Sequence, residues 1–263
     1  MNSQFIVNYH GTKFKESHKL SNHKFEKYKT IIEPFGGSFG FSRYLWEVEG
    51  LKNKEYIICD SNVELINFYN FIKHHPAPDE FVTKYTDIMN RLYNDCSTGR
   101  DNTMIYEFAC GDKLGGRKWI EDNITEPNMK WLVIQNTLNS IIKRVVHKKK
   151  LKFMDMIRSP NVSFINCKFE DMDFNHFNKR TTLVYLDPPY MFEENKWYKD
   201  NGDVCSLDNF YNKLLGLFPF RHCLFVHPRI YLLHRLLKKY TREEYEVRYG
   251  NTGNIRPHVV YYS

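Results

Sequence analysis

Five short apolar runs recur along the chain, and they constrain its fold more than any other feature. Residues 30–32, 56–59, 162–165, 183–186 and 223–226 are each rich in β-branched or aromatic side chains. Each ends in a polar or turn residue, the pattern of strands buried on both faces. Helical candidates at 41–49 and 63–73 lie between the early runs. Such alternation predicts an α/β fold with a mostly parallel sheet. The last segment departs from it. Residues 245–249, the turn Gly250-Asn251-Thr252-Gly253-Asn254 and residues 259–262 predict a hairpin, hence an antiparallel edge.

One interval breaks the rhythm. Between about residues 75 and 158 no core strand is evident, and 79–93 and 131–153 have helical periodicity. Between those helices sits a glycine-rich basic loop, residues 110–119. The expected organisation is a core of residues 1–74 and 159–263 around a helical insertion, 75–158. The chain has 263 residues, and 42% are hydrophobic against 26% charged, enough apolar side chain for a sizeable core. No run approaches the roughly 20 apolar residues of a membrane span, so no membrane partner is expected. The first residues lack a secretory apolar stretch, and the six cysteines include no CxxC pair. A cytoplasmic location, reduced thiols and no metal centre are therefore expected. A formal charge of +7 and 16% aromatic residues are compatible with a nucleic-acid partner.

The chemistry concentrates at strand ends. Asp187-Pro188-Pro189-Tyr190 follows the run 182–186 directly. Ligands of open α/β sheets bind beyond the carboxyl ends of strands. Two prolines fix φ and remove backbone donors, so the turn offers acceptors. A carboxylate beside a bare carbonyl suits a group with two N–H donors, such as an exocyclic amine. The Tyr190 ring suits stacking on a planar base. The second segment is Glu33-Pro34-Phe35-Gly36-Gly37-Ser38-Phe39-Gly40 after the first run, a turn where backbone can approach a ligand closely. It is not the GxGxxG dinucleotide fingerprint. Asp60 ends the next strand, where an acid can accept from ribose hydroxyls. Together these predict an adenosine-containing cofactor without a pyrophosphate, a description S-adenosylmethionine fits.

In this order the segments resemble the D12 class of DNA adenine N6-methyltransferases, the Dam-like enzymes. Tyr9-His10-Gly11-Thr12-Lys13 is similar to the family's N-terminal aromatic–Gly–Lys motif, and Glu33 to Gly40 to its glycine-rich motif. Asp60 matches its ribose-binding acid, Asp187 to Tyr190 its catalytic DPPY, and Phe169-Glu170-Asp171 a fainter acid near the cofactor's adenine. The resemblance implies a Rossmann-like methyltransferase sheet with a helical target-recognition insertion. It implies S-adenosyl-L-methionine held by Tyr9, Gly11, Lys13, Glu33, Pro34, Phe35, Gly36, Gly37, Asp60, Asp171 and Asp187. It also implies a flipped adenine of double-stranded DNA held by Asp187, Pro188, Pro189 and Tyr190. Two departures stand out. Phe39 occupies a place where many members carry glycine, and the family's Arg/Asn hairpin for GATC is absent.

For the nucleic acid the basic clusters are the candidates. Lys113, Arg117, Lys118 and Trp119 lie in the glycine loop, and Lys148 and Lys149 in a lysine-rich stretch. Tyr198, with Trp197 beside it, is a candidate to close over the target base. Neither the target's flanking sequence nor a restriction-endonuclease partner is implied by these residues. RNA adenine, cytosine N4 or a glutamine amide would offer the same NH₂ group, and a non-catalytic nucleic-acid-binding protein is the alternative of another class.

Overall fold

The computed structural model describes residues 13–96, 116–138, 154–188, 207–218, 222–228, 235–249 and 254–262. Tyr9, Gly11, Lys113, Lys148, Lys149, Pro189, Tyr190, Trp197, Tyr198 and the hairpin turn 250–253 lie outside them.

Seven strands form one sheet: β1 Thr30–Glu33, β2 Glu55–Asp60, β3 Val162–Asn166, β4 Thr182–Leu186, β5 His222–Pro228, β6 Thr241–Tyr249 and β7 Asn254–Tyr262. Their order is β3-β2-β1-β4-β5-β7-β6. The first five run parallel, and β7 pairs antiparallel with both β5 and β6. The expected mixed α/β sheet with an antiparallel C-terminal pair is thus observed. β1 pairs with β2 on one side and β4 on the other, in register at Thr30↔Glu55 and Thr30↔Thr182. The side on which successive strands are added therefore switches between β1 and β4.

The apolar runs of β1, β2, β4 and β5 are continuous because both faces are covered, whereas the edge strand β3 exposes Ser163 and Ile165. On one face lie Ile32, Ile57, Cys59, Val184, Leu186 and Phe225, packed with Phe210, Leu214 and Leu217. Those last three belong to a helix, Leu207–Leu217. Alternate residues serve the other face. There α1, Gly40–Glu47, stacks Phe41 on Tyr185 with centroids 4.0 Å apart and sets Trp46 against Tyr56 at 5.8 Å. The outermost strand, β6, is largely polar on its exposed positions, with Arg242, Glu243, Glu244 and Glu246. Charge of that kind blunts edge pairing with another chain.

The chain divides into two compact units, Lys13–Ile66 with Ser159–Ser263, and Asn67–Arg158, among the described residues. The division falls within α2, Val63–His74, which Asn62 caps by accepting from Leu65 N at 3.0 Å. The second unit is helical: α3 Pro78–Cys96, α4 Gly116–Asn123, α5 Pro127–Leu138 and α6 Met154–Ile157. Phe68 faces Trp131 at 5.1 Å, and Phe71 faces Phe81 at 5.2 Å. Two expectations need correction here. Residues 116–119 are helix rather than loop, because the segment from Arg117 to Asp122 is built of good helix formers and buries Ile120. The helix expected from 131 begins earlier, at Pro127, since proline suits a first turn and the Glu126 carboxylate accepts from Asn128 N at 3.0 Å.

If the Phe41–Tyr185 stack ties α1 to the sheet, Phe41→Ala should lose about 3–5 kcal/mol of unfolding free energy. Val63, at 51% exposure, is the control: Val63→Ala should change it by less than about 0.5 kcal/mol. Urea denaturation followed by circular dichroism measures both.

Candidate functional site

The carboxyl ends of the parallel strands share one edge, and the chemistry-bearing residues of the sheet unit gather there. Glu33 ends β1, Asp60 ends β2, the 3-10 turn Phe169–Asp171 follows β3, and Asp187 follows β4. This is the edge at which open parallel sheets bind ligands, next to the point of reversal.

Asp187 is ion-paired. Lys13 Nζ lies 3.1 Å from its Oδ2, and the two side chains are only 4% and 15% exposed. Burial works against the Lys13 charge, but Asp187 and Glu16 outweigh it and hold the ammonium above its ordinary pKa. Burial raises the Asp187 carboxyl, and Lys13 opposes that rise. Pro188, buried beside it, contributes a carbonyl and no donor.

The glycine turn is fixed from β2. Gly36 N donates to Cys59 O at 2.7 Å. A Cβ on Gly36 would stand 2.5 Å from Ile58 Cγ2 and 2.9 Å from Cys59 O, so no larger residue fits. Gly37 has φ +46° and donates its N–H to Asp60 Oδ2 at 2.8 Å. The other carboxylate oxygen, Oδ1, accepts from Asn62 N at 2.9 Å. Asp60 is therefore oriented by two backbone donors, each oxygen retaining a lone pair for an incoming hydroxyl. Burial raises its pKa, and those two N–H groups oppose the rise. Phe35, half-buried after Pro34, sets its ring 5.3 Å from Phe169, which joins the glycine turn to the turn after β3. Lys213 Nζ donates to Glu170 O at 3.0 Å and also to Met172 O, bracketing exposed Asp171.

Glu33 shows something its sequence position does not. Its Oε2 accepts from Ser42 Oγ at 2.6 Å and Ser42 N at 3.1 Å, at the start of α1. A carboxylate at a helix N-terminus satisfies orphan donors and meets the positive end of the dipole. Burial nonetheless pushes its pKa up to about 8, with the Ser42 hydrogen bonds opposing and the Asp187 charge adding to the rise. Phe39, ahead of α1, adopts φ +41°, ψ +46°, the left-handed region, and packs its buried ring against Phe164 at 5.6 Å. Two other groups escaped sequence analysis. Glu16 is one turn beyond Lys13, and His258 is fully buried in β7. A lone histidine in an otherwise apolar register was the signal for the second.

Of the nucleic-acid candidates, Arg117, Lys118 and Trp119 lie on α4, in the helical unit. Trp119 is half-buried, with the Arg91 guanidinium 5.9 Å from its ring. Among the described residues no His, Cys, Asp or Glu cluster could hold a metal ion. No described helix is long and apolar enough to cross a membrane.

Residues 9–99 match the family of D12 class N6 adenine-specific DNA methyltransferases. The match bears out the resemblance over about a third of the chain. It includes Tyr9, Gly11, Lys13, the glycine turn and Asp60, and stops well short of Asp171 and Asp187. The mixed seven-stranded sheet is consistent with a methyltransferase fold. The matched family supports DNA adenine methylation as the general activity. No curated protein matches the chain.

The Glu33 assignment has a sign that can be checked. A carboxyl raised from 4.5 to about 8 in the folded chain contributes stability that is complete below pH 4.5. That stability is lost as pH rises through 8, at up to about 1.4 kcal/mol per pH unit. Glu33→Gln keeps an acceptor for Ser42 and removes the titration. Urea midpoints at pH 5, 6.5 and 8 should therefore fall less steeply in the variant than in the wild type.

Proposed function

We propose that the chain transfers a methyl group from S-adenosyl-L-methionine to the N6 amine of an adenine in double-stranded DNA. Its premise is the match of residues 9–99 to the adenine-specific DNA methyltransferases. The observation that carries it is Asp187, half-buried at the end of β4 with Lys13 on one carboxylate oxygen. On this reading the Rossmann-like core is 1–74 with 159–263, the residues 75–158 recognise the target, and the base is flipped out to reach Asp187.

The donor set fits the cofactor. Two carboxylates at the strand edge, Asp60 and Asp187, are each held by donors of the chain and make it acceptor-rich, which suits a cationic sulfonium nucleoside. Asp60 would take ribose hydroxyls, Phe35 an apolar face, Asp171 the adenine amine, and the Gly36-Gly37 backbone a close approach, with Tyr9, Gly11 and Lys13 completing the site. Bound there, S-adenosyl-L-methionine supplies an electrophilic methyl carbon.

The chain's own residues address the weakness of the nucleophile. The N6 lone pair of adenine is delocalised into the ring. Lys13 engages Asp187 Oδ2, and Oδ1 is the oxygen proposed to meet the base. That oxygen and the Pro188 carbonyl would accept the two N6 hydrogens and stabilise the positive charge that grows on nitrogen as it takes the methyl group; the S–C bond would break to leave a neutral thioether, and the extra N6 proton would pass to solvent. Prolines at 188 and 189 restrict φ and would hold the acceptors stiffly, and Tyr190 would stack on the extruded ring, offsetting part of the few kcal/mol that unstacking takes. Arg117, Lys118 and Trp119, with Lys113, Lys148, Lys149 and Tyr198, are proposed to meet the DNA.

Tritium transfer from labelled S-adenosyl-L-methionine to duplex DNA tests the reading. Asp187→Ala should lower kcat roughly 10²–10³-fold. Mass spectrometry of the digested DNA should show N6-methyladenine, and N4-methylcytosine in its place would overturn the choice of base.

A further inference from the structure

Beside the Lys13–Asp187 ion pair lies a further, partly buried carboxyl for which the proposed transfer has no use so far. Glu16 N donates to Lys13 O at 3.0 Å, so the acid sits one turn from the lysine. Its Oε2 lies 3.8 Å from His258 Nδ1, with side-chain exposures of 19% and 0%. His258 is held from two sides: β5 presents Pro228 opposite it, and β6 presents Tyr245, whose ring is 5.7 Å away. Lys19, on the 3-10 turn Ser17–Leu20, places its ammonium 5.2 Å over that same tyrosine. Acid, base and ion pair thus form a run, Asp187–Lys13–Glu16–His258, from the end of β4 to β7.

Placed so, Glu16 changes what Lys13 does. A protonated Glu16 leaves the ammonium attracted to Asp187 alone, and the trio is neutral. An ionised Glu16 shares Lys13 between two carboxylates, and the trio carries one negative charge. An acceptor group with extra negative charge stabilises the positive charge developing on a methyl-accepting nitrogen more strongly. We infer that Glu16 is a positioning residue, acting through Lys13 to set the electrostatic strength of the Asp187 acceptor. The inference rests on the methyltransferase reading.

The environment makes Glu16 responsive in the working range of pH. Burial and the Asp187 charge push its carboxyl up to about 7, and Lys13 and Lys19 oppose the rise. The groups around it are Lys13 on its own turn, Lys19 on the 3-10 turn, Asp187 and Tyr185 from β4, Tyr245 from β6 and His258 from β7. Loss of the Glu16 proton should raise kcat, so the rate climbs with pH.

Two readouts test this. The first is kcat and KM from pH 5.5 to 9 for the wild type, Glu16→Gln and Glu16→Asp. The second is carboxyl 13C NMR of glutamate-labelled full-length chain without cofactor. The expected result is a rise of roughly fivefold in wild-type kcat through one ionisation near pH 7. Glu16→Gln should lack the step, stay on the low-pH plateau and keep KM within about twofold. Glu16→Asp should restore a step at a shifted midpoint. One glutamate resonance in the wild type should titrate near pH 7 and vanish in Glu16→Gln. A Glu16→Gln enzyme that keeps the full step overturns the inference alone, as does a wild-type chain whose Glu16 titrates in the ordinary carboxylate range. If Glu16→Gln fails to fold, Glu16→Asp removes the same glutamate resonance and supplies the assignment. No methyl transfer by the wild type to any DNA overturns the methyltransferase reading and this role together.

Discussion

The ion pair between Lys13 and Asp187 is the interaction on which the site depends. A carboxylate half-buried at the end of a hydrophobic strand is expensive to keep charged without a partner. Lys13 supplies one at 3.1 Å and is itself buried. The pairing ties the segment that enters the sheet unit to the turn that leaves β4, two stretches more than 170 residues apart in sequence. It also divides the carboxylate: one oxygen, Oδ2, is committed to the ammonium. A lysine too loosely held would leave Asp187 to protonate, and a neutral acid would donate where an acceptor is needed.

The sheet positions this pair by simple means. Parallel strands put all their carboxyl ends on one edge, so Glu33, Asp60 and Asp187 converge without long loops. Each acid then has its own partner: Ser42 for Glu33, Gly37 and Asn62 for Asp60, Lys13 for Asp187. Separate partners keep neighbouring acids from competing for one proton. They also explain the tight glycine turn. Gly37 must reach Asp60 at positive φ, and Gly36 must lie against the Cys59 carbonyl, so side chains are excluded at one position and strained at the other.

Much of this was legible in the sequence. The strands declared themselves because both faces are buried, which makes their runs continuous rather than alternating, and the strand-end acids followed from strand position. What was hidden depends on contacts across the chain. Glu33 was expected at a cofactor, yet its described hydrogen bonds go to Ser42 of α1, nine residues away. Nothing local distinguishes a helix-capping acid from a ligand-binding one when both end a strand. The division between units falls near residue 66, within α2, which runs continuously through it, so its periodicity carries no mark of the change. The helix Gly116–Asn123 was obscured by the glycines before it, which outweighed the helix-forming Arg, Lys and Glu that follow.

Phe39 shows how the same backbone need is met by different chemistry. The turn before α1 requires a left-handed residue, and a bulky aromatic side chain there costs on the order of 1–2 kcal/mol relative to the right-handed region. Glycine would avoid the strain. Here the ring is 1% exposed and meets Phe164 edge-on, and burying a phenylalanine side chain returns about 2–3 kcal/mol. Burial is therefore of the size that offsets the strain. The consequence reaches the site: α1 begins at Gly40, its N-terminus receives the Glu33 carboxylate at Ser42, and the turn between them is pinned by a packed ring instead of being left to a flexible glycine. The departure at Phe39 is thus a second way of holding the glycine turn, rather than a defect in it.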